Sequence, residues 1–245
     1  MAASLEIVAT IGDREVGRAE VQEWESERAS KVAKKLGIDP LQGDLAARRE
    51  ALVRRKLELG HAGLESKLAR ELRLSARSSR LMSALSRGRR HLCTVELSGP
   101  AGSAEAMPAF YREAMQIGDE AALLIASPDH FLLGQAPDGV QQVIETTGGA
   151  PLASRIFLDE SDTSTVTTTA DPDFPVQWVA VGRGSPDGPA AGGLRHQFRD
   201  GPGGFRARLT IEFPAFTPGR IVRAHRWHLA CEFSNWIEAA NGEGQ

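Results

Sequence analysis

From residue 130 to residue 213, short segments of alternating polar and apolar character follow one another, and a single long helical pattern, residues 220–240, comes after them. Alternation with a period of two marks strands with one buried face. A sheet of that kind must lay its apolar face on something, and one long amphipathic helix is what this stretch supplies. The candidate strands are 130–135, 140–146, 153–158, 163–169, 176–182, 192–199 and 205–213. Pro137-Asp138-Gly139 and the glycine-rich stretch from Asp200 to Gly204 read as hairpin turns, because Pro, Asp and Gly supply the dihedrals a tight turn needs. A strand at 91–97 and a helical stretch at 104–124, broken at Gly118-Asp119, precede this run.

The first ninety residues have a different period. A strand at 5–11 and a turn at Gly12-Asp13 lead into a helix over 17–36, whose apolar positions are Val21, Trp24, Val32 and Leu36. Gly37 and Pro40 stop it. A second helix at 45–59 carries Leu45, Leu52 and Leu59, and a further helix or helix pair at 64–85 carries Leu64, Leu68, Leu72, Leu81 and Leu85. The basic stretch Arg87-Gly-Arg-Arg-His91 then reads as a solvated linker. Charge divides at the same place. Residues 1–92 hold 19 Lys/Arg against 13 Asp/Glu, and the remainder holds 10 against 19. The expectation is an α+β protein with a helical docking or chaperone-like domain at 1–90. A sheet domain at 91–245 follows, in which a curved antiparallel sheet grips the long C-terminal helix in a helix-grip, START-like manner and encloses a ligand cavity.

Two cysteines, Cys93 and Cys231, make no disulfide framework. The N-terminus has no basic and apolar leader pattern, and no apolar run approaches the length of a membrane span. A cytoplasmic setting without membrane contact is expected. Nucleic acid is disfavoured as a partner, because the basic half has Trp24 as its one aromatic residue and so no stacking platform. The basic helices suit a protein partner or a second copy of the chain.

The chemistry concentrates on the last helix. His228 and Glu232 lie four apart and so share a face, one turn above the other. Trp227, Phe233 and Trp236 on the same helix require much of it to be buried. An imidazole and a carboxylate buried together need partners, because unpaired they cost several kcal/mol. The partner is either an ordinary hydrogen bond or a shared divalent ion. His130, which opens a strand after Pro128-Asp129, and Glu145, in Val143-Ile-Glu-Thr-Thr-Gly-Gly149, would complete a mixed nitrogen and oxygen set suited to zinc or another first-row ion. Alternation alone does not settle which face Glu145 takes. His196, Asp200 and His225 are the nearby proton-carrying residues.

The segment 194–208, together with His228-Leu-Ala-Cys-Glu232-Phe-Ser-Asn-Trp236, resembles the diacetylphloroglucinol hydrolase and phloretin hydrolase family. The resemblance covers roughly residues 104–240. It implies a helix-grip zinc enzyme that hydrolyses the bond between an aromatic ring and an acyl carbon, with an acylated aromatic or polyketide-like substrate of bacterial secondary metabolism. It implies zinc ligands at His130, Glu145, His228 and Glu232, and a catalytic proton donor among His196, His225 and Asp200. The stretch between His130 and Glu145 is shorter than in that family and lacks its His- and Trp-rich loop. Residues 7–21 and 54–59 resemble the opening of peptidyl-prolyl isomerase chaperones, without the isomerase domain. The alternative function is a non-catalytic small-molecule-binding or chaperone-like protein whose helices dock a partner.

Overall fold

The computed structural model describes residues 6–100, 102–136, 139–201 and 204–242. Pro137 and Asp138 of one anticipated turn, and Pro202 and Gly203 of the other, lie outside the described residues. The elements are β1 (Val8–Ile11), β2 (Arg14–Gly17), α1 (Arg18–Leu36), α2 (Leu45–Ser86), β3 (Arg90–Gly99), α3 (Ala106–Ile117), α4 (Glu120–Leu124), β4 (His130–Gln135), β5 (Gln141–Glu145), β6 (Ser154–Asp159), β7 (Val176–Arg183), β8 (Ala190–Gly201), β9 (Gly204–Pro214) and α5 (Gly219–Ala240). The nine strands form one antiparallel sheet in the order β2-β1-β3-β9-β8-β7-β6-β5-β4.

Local chemistry places the breaks. Gly37 stops α1 in the left-handed region at φ 85°, and the Asp44 side chain caps α2 by accepting from Ala47 N. The two helices expected at 45–59 and 64–85 form one element, kinked at Gly60, whose φ of 61° an L side chain rarely adopts.

Two apolar clusters sandwich the sheet. Leu229, Phe233 and Trp236 of α5 bury with Val95, Leu97, Phe198 and Leu209 of the central strands. Ala29, Val32 and Leu36 of α1 bury with Leu52, Leu64 and Leu68 of α2 and with Phe131, Leu132 and Ile144 at the β4–β5 edge. Each such side chain contributes roughly 1.5–3 kcal/mol when removed from water. The same sheet therefore carries α5 on one face and, at its β4–β5 edge, α1 and α2 on the other. No helix among the described residues is long and apolar enough to cross a membrane.

Three expectations change. Residues 163–169 do not form a strand. The backbone N–H groups and hydroxyls of Thr167 and Thr168 donate to the carboxylate of Glu212, which fixes this stretch as a loop. A short strand, β2, appears where the helix was expected to begin, because Gly12 at φ 65° folds β1 back on itself. The basic stretch 87–91 is a tight turn rather than a linker: Arg90 already belongs to β3, and its guanidinium lies 3.6 Å from the buried Glu212 carboxylate. The compositional boundary at residue 90 is also crossed by the architecture. β1 pairs with β3 in register from Val8↔Ser98 to Ile11↔Val95, and Ile7, Ala9, Val16 and Val21 join the α5 core.

Candidate metal centre

Two pairs of side chains meet between the sheet edge and α5. His130 and Glu145 are direct cross-strand partners in the β4–β5 hairpin. His228 and Glu232 are one turn apart on α5. A register shift between His130 and Leu132 puts Phe131 out of step, so it buries against the α1–α2 cluster. The shift turns His130 to the same face as Leu133, and on β5 Glu145 shares a face with Val143 while Ile144 points to α1 and α2. That face is the one α5 covers.

The four side chains are between 0 and 7% exposed. His130 Nε2 lies 2.8 Å from Glu232 Oε2 and 3.6 Å from Glu145 Oε2. His228 Nε2 lies 3.2 Å from Glu232 Oε2 and 3.4 Å from Glu145 Oε2. The two Nε2 atoms are 3.1 Å apart. Four ligands at zinc distances of about 2.05 Å, arranged as a tetrahedron, have edges of about 3.3 Å. These five separations lie near that value, and the donor atoms within 4.8 Å of one another form two overlapping groups, His130–His228–Glu232 and Glu145–His225–His228, which share His228. The donor set of two imidazoles and two carboxylates also suits zinc or another first-row divalent ion. The Nδ1 atoms of His130 and His228 are buried with no hydrogen-bond partner among the described residues.

The electrostatics follow from burial. Burial alone would raise the Glu145 and Glu232 carboxyls, but the neighbouring imidazoles, His228 foremost, together outweigh it, holding Glu145 down at about 2 and Glu232 lower still. Burial disfavours a charged His228, yet the two carboxylates hold its pKa well above the ordinary value. In the absence of a cation, two buried anions thus keep a proton on this imidazole.

His225 stacks on His228 with ring centroids 4.7 Å apart, and its Nδ1 accepts from Gly148 N at 3.1 Å. Accepting there places the neutral ring's proton on Nε2. Burial, followed by the neighbouring His228, lowers its pKa to about 4. His196, across from Trp178 on the neighbouring strand, likewise accepts at Nδ1 from Thr210 N at 3.2 Å, and burial lowers it to about 3. Both rings are neutral at neutral pH, each with a donor N–H. Neither is then a cationic acid. Asp200 is placed apart from them. It is exposed, its carboxylate accepts from Ala104 N at 2.7 Å, and it sits four residues along β8 from His196, about 13 Å away. It lines a surface pocket of about 400 Å³ with Glu6, Gly99 and Phe205, none of which belongs to the cluster.

An aromatic wall flanks the cluster. Tyr111 of α3 lies 4.5 Å from Trp178 and 5.1 Å from Trp236 between ring centroids, and Trp236 lies 5.9 Å from His130. Phe233 closes the group at 4.8 Å from His196. Gln141 Nε2 donates to the Tyr111 hydroxyl. Burial, then the nearby Glu232, keeps that hydroxyl protonated well above its ordinary pKa. Trp178 is half-buried and donates to the exposed Glu160 at 3.0 Å, which places it at the rim. Sequence reasoning passed over Tyr111, although it is the chain's single tyrosine and shares the inner face of α3 with Met107 and Ala114.

Gly148 also went unread. A Cβ there would lie 2.5 Å from the Ile221 carbonyl and 2.8 Å from His225 N, so only glycine lets the loop after Glu145 press on the first turns of α5. No family model matches the chain, and no curated protein matches it.

Proposed function

We propose that this protein is a metal-dependent hydrolase of helix-grip architecture that cleaves the bond between an aromatic ring and an acyl carbon, as its resemblance to the diacetylphloroglucinol and phloretin hydrolases implies. The observation that carries the reading is the gathering of His130, Glu145, His228 and Glu232, in which each imidazole Nε2 lies between 2.8 and 3.6 Å from both carboxylates, the range of ligand-to-ligand distances around a first-row divalent ion. A bound ion would lower the pKa of water toward neutrality and polarise an acyl carbonyl. Water's oxygen joins the acyl carbon, the ring carbon leaves with the bonding pair and takes a proton, and the products are a carboxylic acid and the shortened arene.

The chain's own residues supply the rest. Trp178, Trp236 and Phe233 offer apolar faces for a planar ring. The Tyr111 hydroxyl accepts from Gln141 and keeps its own proton, so it can donate a hydrogen bond to an oxygen of the substrate, while the attacking water supplies the proton that the ring carbon takes. His196 and His225 present neutral Nε2–H donors for oxygens of the substrate. The test is turnover of a diacetylated phloroglucinol by zinc-loaded protein, followed by release of acetate. Loss of turnover on chelation and recovery on zinc addition supports the reading. Zinc-loaded protein that releases no acid from any acylated phenol contradicts it.

A second reading has its own observation. Leu74, Leu81 and Leu85 of α2 are 41, 61 and 50% exposed, and the neighbouring Arg73, Arg77 and Arg80 have no carboxylate partner among the described residues. On that reading α2 docks a protein partner and the buried cluster only satisfies itself. His228→Ala then lowers stability while the parent has neither bound metal nor turnover to lose.

A further inference from the structure

The residues next to two of the four cluster side chains, His130 and Glu145, are held by α1. Asp129 precedes His130, and Thr146 follows Glu145. Arg28 of α1 grips the Asp129 carboxylate with two parallel bonds, Nε to Oδ2 at 2.9 Å and Nη2 to Oδ1 at 2.6 Å. The Asp129 side chain is wholly buried, and that of Arg28 is 12% exposed. The Thr146 hydroxyl donates to the same carboxylate, and Thr146 N donates to Asp129 O at 3.2 Å. Arg28 Nη2 also reaches Thr146 Oγ1 at 3.4 Å. Gly149 folds so close that a Cβ there would lie 2.9 Å from the Arg28 guanidinium carbon. Lys56 of α2 secures the approach, donating to Ser127 O at 3.4 Å.

We infer that Arg28 is a positioning residue for the metal centre: through Asp129 and Thr146 it fixes the separation of His130 and Glu145, so the N-terminal helices complete a site whose donors all lie beyond residue 129. The inference rests on the metal-centre reading. It assigns the first helix a role that charge and periodicity do not suggest. A guanidinium clamp at this place resists the spreading of two strand ends that mutually repelling carboxylates and an edge hairpin would otherwise allow. Planar, two-point contact is the reason arginine occupies the position, since an ammonium would hold one oxygen as a point charge.

The experiment compares the zinc affinity of the full-length parent with Arg28→Gln, Arg28→Lys and Arg49→Gln, by competition with a chromophoric chelator, alongside thermal melting. Arg49→Gln breaks the pair with Glu25 and a bond to Asn235 of α5, and serves as the control for general loosening, the α5 side of the site included. The expected result is zinc binding weakened about 10–100-fold in Arg28→Gln, with partial recovery in Arg28→Lys and near-parent affinity in Arg49→Gln. Arg28→Gln within about threefold of the parent, or an equal loss in Arg49→Gln, overturns the inference. A parent that takes up no zinc defeats the metal reading instead. The clamp is then decided in that metal-free protein by the ¹⁵N imidazole resonances of His130: displacement by Arg28→Gln sustains it, and unchanged resonances overturn it.

Discussion

Two groups of buried charge lie within a few residues of each other, and they are built on opposite plans. Around α1, behind the β4–β5 edge and across to α5, three largely buried guanidiniums each have a carboxylate. Arg49 meets Glu25 at 2.5 and 2.6 Å, Arg18 meets Glu238 of α5 at 2.6 and 2.7 Å, and Arg28 meets Asp129. Charges cancel pairwise, and planar forks match planar acceptors. In front, between sheet and α5, two carboxylates and two imidazoles converge, and each imidazole is shared between both carboxylates instead of having one partner of its own. The contrast teaches what burial of charge is for. The rear network is finished as it stands, and removing one partner strands the other. The front cluster has its acceptors gathered and its positive charge undersupplied, which is the arrangement a divalent cation completes.

That contrast breaks most visibly at the front. His228→Ala should abolish zinc uptake, because it removes one of four donors and the ring that spans both carboxylates. Elemental content measured after desalting checks this. On the activity side, Tyr111→Phe should lower kcat about tenfold with metal content unchanged, the loss of one hydrogen bond to the reacting substrate. Steady-state turnover of an acylated phloroglucinol reads it, and parental kcat would remove Tyr111 from the mechanism.

The stability of metal-free protein sharpens the comparison further. Glu25→Gln at the rear should cost about 3–5 kcal/mol, because Arg49 is left buried without its anion. Glu232→Gln at the front should cost about 1 kcal/mol or less in the absence of zinc, since Glu145 still neutralises His228. Denaturant titrations of both variants measure the difference, and equal losses would erase the distinction between the two groups.

Acidity adds a signed test. His228 keeps its proton well above pH 6.5, and a cation must displace that proton. Zinc affinity should therefore rise about tenfold per pH unit between 6 and 7. The metal-free fold responds with two opposite signs. The stabilisation from Glu145 is present above the unfolded value near 4.5 and is lost as pH falls toward about 2. That from His228 is complete below 6.5 and is lost as pH rises through its raised value.

A separate effect lies at Lys56, buried beside the rear network with no carboxylate bonded to it. Burial, partly offset by Asp129, lowers its pKa to about 7. Below that pH the native state carries an uncompensated buried cation, a penalty that fades as pH rises toward 10.5. Lys56→Met should stabilise the protein by about 2 kcal/mol below pH 7, with the gain shrinking above it. Urea midpoints at pH 6 and pH 9 test the trend.

Much of this was legible from spacing alone. The three-and-four periodicity of α5 placed His228 and Glu232 on one buried face, and the switch to alternation near residue 91 marked the sheet. What escaped depended on events that local pattern does not encode. A one-residue irregularity between His130 and Leu132 decides which face His130 takes, and the hairpin register then decides the face of Glu145. The threonine run at 163–169 has the composition of a strand, but its donors are captured by Glu212, far along the chain. β2 is four residues long, too short to show a period, and the pairing of β1 with β3 spans the whole of α1 and α2. The contact between Arg28 and Asp129 bridges 101 positions, a distance over which no spacing rule operates.

The most direct test of the central claim is the metal content of the purified full chain, measured together with Glu145→Gln and His228→Ala. The account requires about one equivalent of zinc, iron or manganese in the parent and a marked loss in both variants. Less than about a tenth of an equivalent in the parent after incubation with zinc, or full retention in the variants, would contradict it.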